Sequence, residues 1–221
     1  MLALSASPML AGLFGGWEFV LLLTLVLLLV YSRYGSTPAR EDDSASHEGK
    51  PPERSRRNEF IVWLAQGLDV GRIPVAPGTF GSLVGLLWVA LLLVSGSLPL
   101  YLGGTAAGLM LSVWCCGRAE QILGRSDPGS VVLDEIAALP VCFLPWIIRA
   151  SNRDGVPELD VFILHGGWWK TAILFGLFRL FDVLKPWPIR QSQALPGGWG
   201  VTIDDFLAAT YVALLSLLWI G

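Results

Sequence analysis

Six apolar runs, each close to the length of a bilayer crossing, leave this chain few folds to choose from. They fall at Leu10–Tyr31 and at roughly 80–95, 99–117, 131–148, 162–184 and 205–220. A helix needs about 20 mostly apolar residues to cross the hydrocarbon core, where every backbone polar group must be satisfied within the protein. Composition agrees: 53% of the 221 residues are hydrophobic and only 15% charged, against about a quarter charged in ordinary soluble domains. The expected fold is all-α, a polytopic helical membrane bundle with an extra N-terminal transmembrane helix.

Three units are expected. Residues 1–31 form an N-terminal transmembrane anchor, since no Lys or Arg precedes the run and no small-residue cleavage site follows it. Residues 32–59, rich in Gly, Ser, Pro and mixed charge, bury too little apolar surface to order themselves and read as a flexible polar cytoplasmic linker. Residues 60–221 form the helical membrane domain. Arg33 behind the first run places the amino terminus outside, and Arg118, Arg125, Lys185 and Arg190 place their loops in the cytoplasm. Arg149 and Arg153 run against that count, because short connections put their loop outside. Trp168 and Trp169 fit an outer interfacial belt.

Threaded this way, the chain brings five carboxylates to one membrane face: Asp134, Glu135, Asp182, Asp204 and Asp205. Acids at the ends of apolar segments are costly, and such residues are usually functional. One acid near a helix amino terminus is explained by the macrodipole, which is worth about 0.3–1 kcal/mol; two adjacent acids entering IAALPVCFLPWII are not. Arg179, Asp182 and Lys185 alternate in sign at three-residue spacing on one helical face, an arrangement an ordinary ion pair also produces. Pro186 and Pro188 stop that helix and keep Arg190 near the face. Thr202, three residues before Asp205, matches a capping box at the start of the last helix. In PGTFGS, Gly78, Thr79, Gly81 and Ser82 offer hydroxyls and backbone N–H groups at a helix start, where phosphate is attracted.

Oxygen-only candidate ligands, Asp134, Glu135, Asp182 and Asp205, point to Mg²⁺; zinc normally recruits His or Cys. The histidines, His47 in the linker and His165 toward the outer face, are poorly placed for catalysis. Cys115, Cys116 and Cys142 lie inside apolar segments, and none has an arginine six positions on, as a cysteine phosphatase requires. No DxDxT motif occurs, nor a basic stripe with interleaved aromatics that would suggest nucleic acid.

Together, PGTFGS, DPGSVVLDE, FRLFDVLKPWPIR and GGWGVTIDD make the stretch from about residue 60 to the end resemble the bacterial phosphatidylglycerophosphatase A family. That resemblance implies a Mg²⁺-dependent lipid phosphatase of the inner membrane, multi-pass with its active site facing the cytoplasm. It would convert phosphatidylglycerophosphate to phosphatidylglycerol within phospholipid biosynthesis. The family's motif acids fall on Asp134, Glu135, Asp182, Asp204 and Asp205, with Asp204 as an outer or alternative ligand. The substrate phosphate would be held by Arg179, Lys185, Arg190 and the 78–82 segment. Ala137 and Ala138 stand where family members often carry glycine, and the N-terminal run and linker lie outside the family pattern. A CDP-alcohol phosphotransferase lacks support because its long acidic motif spacing is missing, and a cation transporter would place its acids mid-span.

Overall fold

The computed structural model describes residues 55–157, 161–162 and 167–219. The expected anchor at 1–31, the 32–54 part of the linker with His47, and His165 lie outside the described residues. Among the described residues the fold is all-helical: α1 (Arg56–Ala65), α2 (Pro77–Val94), α3 (Leu98–Leu123), α4 (Leu133–Asp154), α5 (Trp168–Leu184), α6 (Ile189–Ser192) and α7 (Gly198–Ser216), with one 3₁₀ turn at Val70–Arg72.

Helix boundaries follow local chemistry more closely than hydropathy suggests. Pro77 occupies the first turn of α2, where its fixed φ suits a helix start and its missing N–H costs nothing. The helix therefore takes in all of PGTFGS and starts ahead of the apolar run expected from about residue 80. Gly124, with φ of 66°, closes α3 in the left-handed conformation usual at helix ends. Likewise α1 starts at Arg56, four residues into the expected linker, because burial of Ile61, Val62 and Ala65 holds the helix down.

Helix α4 is the hub, packed against α7, α2, α3 and α5. It runs through Pro140 and Pro145 without ending, which neighbouring helices permit by re-satisfying freed backbone groups. The hydroxyl of Tyr101 donates to the Pro140 carbonyl at 3.0 Å. Around it Phe143, Ile147, Leu174, Phe175, Phe178 and Val212 form the main core. At the α3–α7 crossing, a Cβ on Gly117 would lie 2.7 Å from the Gly198 nitrogen, so only glycine allows this approach. The same crossing carries a Ser112–Thr202 hydroxyl pair at 2.9 Å.

Helices α2 and α3 are each long and apolar enough to cross a membrane. Their outward residues agree, with Leu87, Leu91, Val94 and Met110 exposed, a surface that suits lipid better than water. The bundle has two unlike ends. At one, Trp169 on α5 meets Trp219 beyond α7 at 5.7 Å, and the Lys170 ammonium lies 5.2 Å from the Trp146 ring centroid. The acids collect at the other.

Candidate active site

The loop entering α4 is fixed from three sides. The Val132 N–H donates to the Ala65 carbonyl at 3.0 Å, and Gln66 Nε2 donates to Ser130 Oγ at 3.1 Å. Gly71 leaves room for the Ser130 carbonyl, which any Cβ there would strike. Thus α1 and the 3₁₀ turn set where Asp134 and Glu135 begin their helix. Helix α5 delivers Arg179 and Asp182 near its carboxyl end, with Lys185 at its left-handed C-cap. Helix α7 delivers Asp204 and Asp205 from its second turn.

These segments enclose a cavity of about 440 Å³. All five expected acids line it, together with Arg179, Lys185, Gly78 and a sixth carboxylate, Asp127. Six acids against two cations leave it strongly anionic. Asp134, Asp182, Asp204 and Asp205 are buried although charged, and they fall into two groups. Arg179 Nη1 lies 2.7 Å from Asp182 and 3.2 Å from Glu135, while Lys185 Nζ lies 2.5 Å from Asp204 and 3.9 Å from Asp182. Among the described residues, Asp134 and Asp205 have no cationic partner. An Asp134 oxygen accepts only the Glu135 N–H, at 3.0 Å.

Burial opposes the Lys185 ammonium, but the Asp204 and Asp182 carboxylates outweigh it and hold its pKa above the ordinary lysine range. It stays a cation at neutral pH.

Two buried carboxylates without a cationic partner among the described residues open onto a cavity whose lining contains no His or Cys, a chemistry compatible with a hard divalent cation. Among the described residues no group of three or more His, Cys, Asp or Glu side chains is placed to hold a metal ion. Mg²⁺ does not require one, since it keeps several waters and commonly binds through one or two carboxylates plus substrate phosphate.

Other expected roles change. Arg190 is exposed on α6 and outside the cavity lining; its neighbour Ile189 is fully buried in the core, which turns Arg190 outward. Thr202 is no cap, because α7 starts four residues earlier at Gly198 and the hydroxyl pairs with Ser112. Thr79 and Ser82 are completely buried and Gly81 packs on Val132, so of PGTFGS only Pro77 and Gly78 reach the cavity. Sequence reasoning missed Asp127 and Gln193, whose Nε2 donates to Asp204 at 3.0 Å. Asp127 was visible as the acid opening DPGS; nothing marked Gln193.

The family model for phosphatidylglycerophosphatase A matches residues 63–220, the stretch and the family that the four motifs suggested. A Haemophilus influenzae protein named phosphatidylglycerophosphatase A is 34% identical over 169 residues, 76% of this chain and 93% of the relative. The Escherichia coli protein of that name is 32% identical over 168 residues, 74% of this chain and 87% of its own. A Bacteroides thetaiotaomicron protein named putative phosphatidylinositol-3-phosphatase is 33% identical over 166 residues, 72% and 94% of the two chains. No solved structure matches. With its acids gathered in one cavity and most of its length covered by that family model, the chain belongs to the phosphatidylglycerophosphatase A family of phosphatases.

Proposed function

We propose that the protein hydrolyses phosphatidylglycerophosphate to phosphatidylglycerol and phosphate, as a multi-pass protein of the bacterial inner membrane whose acidic cavity faces the cytoplasm. The observation that carries this reading is the pairing, within one cavity, of two cations with two unpartnered buried carboxylates. Asp134 and Asp205 would hold Mg²⁺, while Asp182 and Asp204 are engaged by Arg179 and Lys185. Bound there, the ion supplies charge neutralisation and activation of water.

The chain's own residues do the rest. Arg179 and Lys185 flank the cavity and would orient the phosphomonoester dianion, lowering the cost of charge in the transition state. Positioning matters because uncatalysed monoester hydrolysis is extremely slow, with accelerations of up to ~10²¹ required. The proton of the attacking water would pass to a cavity carboxylate that neither Arg179 nor Lys185 engages. Asp204, held by Lys185 and Gln193, keeps the Lys185 ammonium in place. The acyl chains would remain in lipid, beside the apolar wall formed by Pro74, Val75 and Pro77.

The Bacteroides relative's name makes a phosphoinositide the competing headgroup. Phosphate release by the purified full chain from phosphatidylglycerophosphate, phosphatidylinositol 3-phosphate and phosphatidic acid in mixed micelles separates them. The expected result is preference for the first, abolition by chelator and recovery with Mg²⁺. Hydrolysis that survives chelation, or preference for the inositol lipid, contradicts the proposal.

A further inference from the structure

From the packing of α2 against α4 and α5, we infer that Glu135 is a positioning residue for Arg179, acting with Ser82, and not a metal ligand. The inference rests on the phosphatase reading above and assigns a different job to one of its acids. Both oxygens of Glu135 have close neighbours, polar ones at Oε2 and helix backbone at Oε1. Oε2 lies 3.2 Å from Arg179 Nη1 and 3.3 Å from Ser82 Oγ. Oε1 sits against Gly78, so close that a Cβ at that position would strike it. An ion that drew on Oε2 would have to displace Arg179 and Ser82, and Oε1 is crowded on its Gly78 side.

Ser82 completes the brace from the first turns of α2. Its hydroxyl accepts from Arg179 Nη1 at 3.2 Å, and its single proton is shared between the Gly78 carbonyl at 2.9 Å and Glu135. Nη1 is thereby fixed by Ser82, Glu135 and Asp182. The other terminal nitrogen, Nη2, lies beside Gly78, where a Cβ would come within 2.9 Å, and both Gly78 and Arg179 line the cavity. Nε is buried and, among the described residues, has no partner. A guanidinium anchored at one corner, with Nη2 left at the cavity edge, presents a preset donor to a phosphate oxygen.

The glycines therefore have a packing role. At Gly81 a Cβ would lie 2.7 Å from Val132 Cβ and 3.1 Å from Glu135 Oε2. PGTFGS serves phosphate indirectly, by letting a buried carboxylate and a guanidinium meet against the helix backbone.

The test measures two constants on the full chain in detergent: inhibition by inorganic phosphate, and the Mn²⁺ concentration at the midpoint of binding in equilibrium dialysis. Glu135→Gln is expected to weaken phosphate inhibition by about tenfold or more while shifting the Mn²⁺ midpoint less than about twofold. Glu135→Asp should recover part of the phosphate affinity. Ser82→Ala, a small change that guards against loss of fold, should move the phosphate constant in the same direction by a few fold, about the value of one hydrogen bond. Asp205→Asn should show the opposite split. A tenfold shift of the Mn²⁺ midpoint in Glu135→Gln with phosphate inhibition intact would make Glu135 a ligand and overturn the inference, as would no change in either constant. A wild-type protein that releases no phosphate from any of the lipids defeats the phosphatase reading first, a failure distinct from either of these.

Discussion

Asp182 and Asp205 face the same cavity in opposite electrostatic circumstances. Asp182 lies between Arg179 and Lys185, whereas Asp205 is equally buried and, among the described residues, has no cation beside it. A buried charge with good partners can hold its place, while one without them carries an uncompensated desolvation cost of several kcal/mol. The paired side is complete as folded, and the unpaired side is where the proposed ion would bind.

The largest effect should come from removing the centre of the paired side. Arg179→Met leaves the buried Asp182 and the partly buried Glu135 without their main cation, and chemical or thermal unfolding in detergent should show a loss of about 3–5 kcal/mol. Activity should vanish with it. Full stability in that variant would erase the distinction between the two sides.

Next comes the direct contrast. Asp205→Asn should lower kcat by about 10²–10³-fold, the usual consequence of removing one strong electrostatic contributor. Its stability in chelator should be unchanged or higher by about 1–3 kcal/mol, because an unsatisfied buried charge has been neutralised. Asp182→Asn should lose both activity and stability. If both variants destabilise alike without metal, Asp205 has a partner in the protein after all.

Lys185→Met sharpens the comparison at the cavity rim. The side chain is 25% exposed, so solvent screening limits the loss to about 1 kcal/mol. Because the folded pKa is raised, the stabilising contribution is full below the unfolded value of about 10.4 and fades only as pH climbs through the raised one. The gap in stability between wild type and variant should therefore stay flat from pH 7 to 9, as read by thermal unfolding. The smallest effect is predicted for Arg190→Ala, within about 0.5 kcal/mol and with unchanged phosphate release, since the residue is exposed and outside the cavity.

Much of this was legible in the sequence because alternation does geometric work: short connections between apolar runs force every second helix end to one side. That alone gathered Asp134, Glu135, Asp182, Asp204 and Asp205 before any contact was known. What could not be read depended on partners far away in the chain. Gly78 and Gly81 look alike whether they cradle phosphate or clear space for Glu135, which is more than fifty residues distant. Thr202 satisfies a capping pattern locally, yet Gly117 and Gly198 let α7 begin earlier and hand that hydroxyl to Ser112. Arg190 was placed at the face by the turn that Pro186 and Pro188 impose, and burial of Ile189 turned it away. Hydropathy sees neither close glycine crossings nor which side of a one-turn helix is anchored.

The most direct test is Mn²⁺ binding to the purified full chain by equilibrium dialysis, comparing wild type with Asp134→Asn, Asp205→Asn and Lys185→Met. The account predicts saturable binding by wild type, weakened about tenfold or more in each Asp→Asn variant and not weakened in Lys185→Met. Wild-type affinity in both Asp→Asn variants, or no binding by the wild type, would contradict it.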